Sequence, residues 1–289
     1  MSAALDTKPL RGPTNSEWLP VIAGLLILYV PVFYDMAALY WNEDDYANGP
    51  TILAVIVWLI WDKRQMLLTA PSHTAPAAGL GLLTFGLLLY VLGRLEGIPL
   101  LEVGALVPIL AGVLLAMRGW SGLRALSFML LFIGYLVPPP GFLVDAMTFP
   151  LKKGVSVIAE KILYTAGYPI SHDGVMLSIG QYQLLVADAC SGLTSMLSLT
   201  ALGLLYLYLM RYKSWLHNSL ILVSLLPIAF TANVVRVILL VLVTYHYGDA
   251  AGQGFVHRFS GMVLFVIALV SILLFDSVLS KCIKPRKPA

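Results

Sequence analysis

Apolar blocks of roughly 17 to 25 residues recur along nearly the whole chain, and each has the length a helix needs to cross the roughly 30 Å hydrocarbon layer of a bilayer. Lipid leaves backbone groups no partner but each other, so blocks of this kind must be helical where they span. Composition agrees. Of 289 residues, 59% are hydrophobic and 11% charged, whereas a soluble domain carries about a quarter charged residues to cover its surface. A soluble enzyme tied to one greasy anchor is therefore excluded. The net charge of +3 is small and carries no nucleic-acid signature, and no nucleic-acid partner is expected.

The blocks predict an all-α polytopic fold of about eight transmembrane helices, at 18–40, 50–69, 78–93, 100–117, 123–144, 190–210, 216–246 and 256–279. The first is long and lacks a small-residue cleavage site, which marks it as a retained helix, not a signal peptide. With the N-terminus in the cytoplasm, Lys8, Arg11, Lys63, Arg64, Arg118, Arg124, Arg211, Lys213, Lys281, Lys284, Arg286 and Lys287 fall inside. Arg94, Lys152, Lys153, Lys161, Arg236 and Arg258 fall outside. The positive-inside rule then favours a multi-pass protein with both termini cytoplasmic. Residues 1–17 read as a cytoplasmic tail, 18–280 as one transmembrane domain and 281–289 as a basic tail.

The outer connections are the richer ones, and 145–189 is the longest. Within it Leu151, Val155, Ile158 and Ile162 recur at helical spacing, which predicts an amphipathic helix on the membrane surface. Val175, Leu177 and Ile179 alternate before Gly180-Gln181 and Tyr182, which predicts a short β-hairpin leading into Cys190.

Ionisable residues within or at the ends of spans are expensive and mark candidate sites. Cys190 stands in Asp188-Ala189-Cys190-Ser191-Gly192, where a polar segment gives way to an apolar run. At a helix N-terminus the positive dipole end and free N–H groups favour the thiolate, while Asp188 opposes that effect. The position also suits a small packed residue. Arg236 lies some 20 residues into the seventh span, about 30 Å at helical rise, and so at the outer interface. His257 opens the last span. Cys190, Arg236 and His257 thus come from three helices at one expected depth, and they are the parts of a nucleophilic acyl transfer: a thiol to attack, an imidazole to carry the proton and a guanidinium to meet the oxyanion. Interfacial snorkelling is the other reading for the Arg and the His. Asn233 is one turn before Arg236 and able to orient a partner. Arg258, next to His257, suits a headgroup or a substrate carboxylate. His73 and His217 fall on the inner side and read as solvated loop or interface residues. His172 and His246 with Asp173 or Asp249 could be combined into a metal site, but no HExxH-type spacing supports one. Cys282, among the tail lysines, reads as a lipidation site or as having no role.

In Ala189-Cys190-Ser191-Gly192, Asn233-Val234-Val235-Arg236 and His257 with Gly261, the chain resembles the exosortases, integral-membrane cysteine transpeptidases grouped with archaeosortases. The likeness runs from about residue 18 to 280. Trp41-Asn42-Glu43-Asp44-Asp45-Tyr46-Ala47-Asn48-Gly49-Pro50 is a weaker match, with Asn48-Gly49 where many relatives carry His-Gly, and the Gly-Pro suggests the exosortase B branch. No fused C-terminal soluble domain of the kind some relatives carry is expected. The resemblance implies Cys190 as nucleophile, His257 as general acid/base and Arg236 as electrostatic stabiliser, with Asn233, Ser191, Gly192, Asp188 and Arg258 around them. It also implies secreted substrate proteins with a C-terminal PEP-CTERM-like sorting signal, a thioester resolved by an acceptor amine or water, membrane lipid as surroundings, and no metal or organic cofactor. Two rivals stand beside it. A non-enzymatic component of exopolysaccharide export would explain the spans without chemistry, and a membrane acyltransferase would also use a Cys-His pair.

Overall fold

The computed structural model describes residues 15–41, 48–69, 74–185, 192–248 and 255–282, without side chains at 15–16, 66–69, 143, 145, 147, 192–196 and 255–265. It divides into two compact units, Met1–Pro139 and Pro140–Ala289.

The N-terminal unit holds α1 (Asn15–Leu39), α2 (Gly49–Thr69), α3 (Pro76–Glu96), α4 (Pro99–Gly104), α5 (Leu106–Ala125) and α6 (Ser127–Ile133), the last closing in a 3-10 turn, Gly134–Leu136. Its tightest seam joins α3 to α5. Gly79, Gly86 and Gly93 recur every seven residues on the buried face of α3, and a Cβ on each would meet the α4–α5 backbone: Ala116 N at 2.5 Å, Ile109 N at 2.8 Å and Glu102 N at 2.5 Å. Gly112 of α5 returns the contact, with Leu83 N at 2.5 Å from a built Cβ. Small residues let helix backbones approach where lipid gives no hydrophobic drive to associate. At one end of the unit Arg94 is shared between Asp35 at 2.7 Å and Glu102 at 2.9 Å, fixing the ends of α1 and α3 and the start of α4 at one level.

The C-terminal unit holds α7 (Gly141–Thr165), β1 (Ile170–Asp173), β2 (Met176–Ile179), β3 (Tyr182–Leu185), α8 (Gly192–Met210), α9 (Trp215–Tyr247) and α10 (Phe255–Cys282). The strands form one antiparallel sheet in the order β1-β2-β3. Both hairpins turn on two residues, Gly174-Val175 and Gly180-Gln181, with the glycine in the left-handed region at φ +61° and +58°, as a type II′ turn requires at its first central position. Leu177 and Ile179, alternate residues of β2, face inward with Ile170 and Leu184 and pack on Val155, Ala159 and Leu163 of α7 and Val237, Leu240 and Val241 of α9. A second buried cluster joins Leu199 of α8, Ala229 and Ala232 of α9 and Ala268 of α10. The upper turns of α9 thus carry a small sheet-and-helix cap, and its middle turns sit in a helix bundle.

Four helical runs among the described residues are long and apolar enough to cross a membrane: Glu17–Leu39, Pro76–Glu96, Pro99–Ala125 and Trp215–Tyr247. Three match single predicted spans within a few residues. The fourth joins α4 to α5 and bends at Gly119, whose φ of 62° and ψ of −159° interrupt the helix. The expected span 123–144 differs. Its helical part, Ser127–Leu136, is ten residues and only about 15 Å long, and it stops at Pro138-Pro139-Pro140. Three prolines in a row offer no N–H groups and force extended backbone on each preceding residue. The last residues of that expected span open α7 instead, so the predicted outer loop 145–189 begins inside a helix. Its core face runs through Thr148, Val155, Ala159 and Leu163, while Ile158 and Ile162 of the predicted stripe stay outside the core at 38% and 46% exposed.

Candidate functional site

The buried residues of α9 form a stripe at helical spacing: His217, Ile221, Leu225, Ala229, Ala232, Asn233, Arg236, Val237, Leu240 and Thr244. Most are apolar or small. Asn233 and Arg236 interrupt the stripe where the bundle meets the cap, one turn above Ala229 and Ala232 and level with the first cap contacts, Val234 and Val237. Asn233 is 2% and Arg236 5% exposed. Arg236 also has an interaction within the protein, and at this burial it is not a surface residue. Among the described residues the Asn233 carbonyl oxygen Oδ1 meets no hydrogen-bond donor. A buried amide oxygen left open costs on the order of 1–3 kcal/mol, which makes this an atom that a ligand's N–H or O–H would satisfy.

Just below, Pro227, Thr231 and Val235 of α9 and Ile267 and Ser271 of α10 line a cleft of about 250 Å³. Its hydroxyls turn back on their own helices, Thr231 donating to Pro227 O at 2.8 Å and Ser271 to Ile267 O at 2.7 Å. The cleft therefore offers mostly apolar walls.

The remaining expected site residues divide by position. Asp188, Cys190 and Ser191 lie outside the described residues, in the link between β3 and α8. Gly192 is the first residue of α8. His257 and Arg258 belong to the first turn of α10, and nothing is described of their side chains. The helices still give relative levels. Counted from the cluster shared by Leu199, Ala232 and Ala268, α9 rises four residues to Arg236, α8 seven to Gly192 and α10 eleven to His257. At about 1.5 Å per residue these are about 6, 10 and 16 Å. All three lie on the cap side of the bundle, with Arg236 the deepest.

Elsewhere the structure corrects the sequence reading. His217, expected to be solvated, is fully buried. Its Nε2 lies 2.7 Å from Asp276 Oδ1, and Tyr206 and Tyr212 both donate to Asp276 Oδ2, at 2.5 and 2.8 Å. With Nδ1 facing no partner among the described residues, the fitting tautomer is the one protonated at Nε2. The cluster ties α8, the α8–α9 turn, α9 and α10 together at the end remote from the cap. The signal for it was Asp276, the one acid in the last span, which must find donors within the protein. His172 pairs with Glu160 and His246 packs edge-on against Tyr168, while His73 and Asp249 lie outside the described residues. Cys282 is exposed. Among the described residues no three His, Cys, Asp or Glu side chains gather as a metal site. At the N-terminal match, the Trp41 indole lies over Gly49 so closely that a Cβ there would be 2.1 Å from its Nε1; residues 42–47 lie outside the described residues.

No curated protein and no solved structure matches the chain. Residues 40–274 match the family described as transmembrane exosortase (Exosortase_EpsH). That range takes in α2 through most of α10 and, with them, Asp188, Cys190, Ser191, Gly192, Asn233, Arg236, His257 and Arg258. The chain belongs to the transmembrane exosortase family.

Proposed function

We propose that the protein is a membrane-embedded cysteine transpeptidase of the inner membrane, with both termini cytoplasmic and its site on the periplasmic side. It cleaves C-terminal PEP-CTERM-like sorting signals from secreted proteins. The observation that carries this reading is the buried Asn233–Arg236 pair at the junction of bundle and cap, within a family match that includes Cys190 and His257. A buried cation in a membrane helix is costly unless it acts on something, and an acyl transfer needs positive charge where the oxyanion forms.

In this scheme Cys190 Sγ, its proton passed to His257, attacks the scissile carbonyl. The tetrahedral oxyanion is met by Arg236. The C–N bond breaks, His257 returns the proton to the departing amine, and a thioester remains on Cys190. An acceptor amine or water then attacks the thioester and restores the thiol. Asn233 orients the substrate backbone through its open Oδ1. Gly192 opens α8 next to the nucleophile in sequence, Ser191 supports the substrate, Asp188 tunes the thiol, and Arg258 meets the substrate's acidic or carboxylate groups. The cleft between α9 and α10 receives an apolar side of the signal's helix.

Co-expression with a tagged substrate tests the scheme. Cys190→Ala protein should insert normally and leave the signal uncut, whereas a slowly resolving substrate should trap a peptide on Cys190 of the parent protein, visible by mass spectrometry. Normal processing by Cys190→Ala, or a peptide attached to Cys282, would overturn it.

A further inference from the structure

The N-terminal unit contains a cavity of about 420 Å³, within the roughly 300–1,000 Å³ range of small-molecule sites. Its walls come from α1, α2, α5 and α6 and are apolar, among them Ile22, Leu25, Ile60, Val113 and Met129. Two polar groups reach it: Arg64 and Trp18. The Trp18 Nε1–H is buried and has no acceptor among the described residues. The Arg64 guanidinium lies 4.0 Å over the Trp61 ring and donates to Trp61 O at 2.8 Å, and it meets no carboxylate among the described residues. Neighbouring Lys63 differs, being paired with Asp62 at 3.1 Å. Trp61 and Trp120 are exposed at this end, at 64% and 57%, as indoles at headgroup level are.

We infer that this cavity is a binding site for one anionic phospholipid, an acyl chain lying along its apolar walls with the phosphate held by Arg64 and a headgroup or ester oxygen accepting from Trp18. The unsatisfied Trp18 donor then meets an oxygen, and the guanidinium, which gives one N–H to Trp61 O, has further N–H groups to offer the phosphate. A peptide helix does not suit the space, since a helix with its side chains is about 10–12 Å across, whereas a single hydrocarbon chain is slender. The site is separate from Cys190, Arg236 and His257 and does not depend on their chemistry.

The test uses the full-length protein in nanodiscs of phosphatidylcholine with increasing phosphatidylglycerol, read by native mass spectrometry after extraction. One retained phosphatidylglycerol per chain is expected. Arg64→Gln should weaken its retention about fivefold, the usual effect of one cation near an anionic headgroup. Ile22→Trp, placed at a half-exposed position on the cavity wall, should abolish it without disturbing the fold. Glycerol phosphate, the headgroup without a chain, should not compete. Equal retention of phosphatidylcholine and phosphatidylglycerol, unchanged retention in either variant, or displacement by glycerol phosphate or by a 20-residue apolar peptide would each overturn the assignment.

Discussion

Among the buried polar groups of one helix, α9, two levels are built on different principles. Near its start the Asp276 carboxylate receives three hydrogen bonds, from His217, Tyr206 and Tyr212. Donors and acceptor come from three helices and a turn and both Asp276 oxygens are taken, so the acid at this level is spent on its own neighbours, with only His217 Nδ1 left without a partner among the described residues. Five turns further on, Asn233 is buried with its carbonyl oxygen open, beside an equally buried Arg236. A closed polar network rigidifies its surroundings, while a half-satisfied one stores a cost that only function maintains. The difference teaches where to look for chemistry in a greasy bundle. The number of buried polar groups at a level says less than whether they are already spent on one another.

The comparison predicts that substitutions at the two levels separate stability from activity. The largest stability effect belongs to Asp276→Ala, which leaves an imidazole and two phenols buried without their acceptor. Losing one side of such a buried network costs about 3 kcal/mol, and the thermal midpoint of the purified protein should fall well below the parent's. Unchanged stability would mean the cluster is not a clasp. Arg236→Gln should do the reverse. Processing of a tagged substrate should fall roughly a hundred- to a thousandfold, the cost of removing one oxyanion-stabilising group, while the protein stays folded and abundant. A variant equally active as the parent would remove Arg236 from the chemistry.

These two levels were unequally legible in the sequence. Arg236 and Asn233 were readable because α9 is long and apolar and its polar exceptions stand out by counting turns. The Gly180-Gln181 hairpin was readable because a left-handed glycine between alternating residues has few other uses. The His217–Asp276 pair was not, since its partners are 59 residues apart and no local pattern joins them. β1 was missed because Ser171-His172-Asp173 carries no apolar alternation; only Ile170 is buried, and the strand exists by pairing with β2. The core side of α7 was not readable for a related reason: it is chosen by what the sheet offers, and the small Ala159 fits there. Span 123–144 failed because apolar residues on both sides of Pro138-Pro139-Pro140 outweighed the prolines in a hydropathy window.

The glycine seam of the N-terminal unit is a control for the comparison, because it contributes stability with no polar groups at all. Gly86→Val would force branched methyls into Ile109 N and Pro108 C, already 2.8 and 3.2 Å from a built Cβ. The cost should be about 1–3 kcal/mol, as for other overpacked interiors, with the surviving folded protein still processing substrate. A tolerated Gly86→Val would show that α3 and α5 separate easily and that the seam is not what holds the unit together.

The finest test is Asn233→Leu, where the two principles make opposite predictions for a single residue. If Asn233 were a structural group like Tyr212, removing its side-chain amide would unbalance a network and destabilise the protein. An open Oδ1 at a buried level predicts otherwise. Leucine keeps the branching and heavy-atom count of the asparagine side chain, brings no polar atom and removes the unmet carbonyl, so stability should hold or rise by about 1 kcal/mol. Processing should slow all the same, because the substrate loses the acceptor that orients it, and the loss should fall mainly on substrate binding while the slower chemistry of Arg236→Gln falls on turnover. A gain in stability coupled to a loss of processing is the signature of a site residue whose burial is tolerated for function. A destabilised Asn233→Leu with unaltered processing would instead return Asn233 to the same class as His217, and leave Arg236 as the lone polar group with chemistry to do on α9.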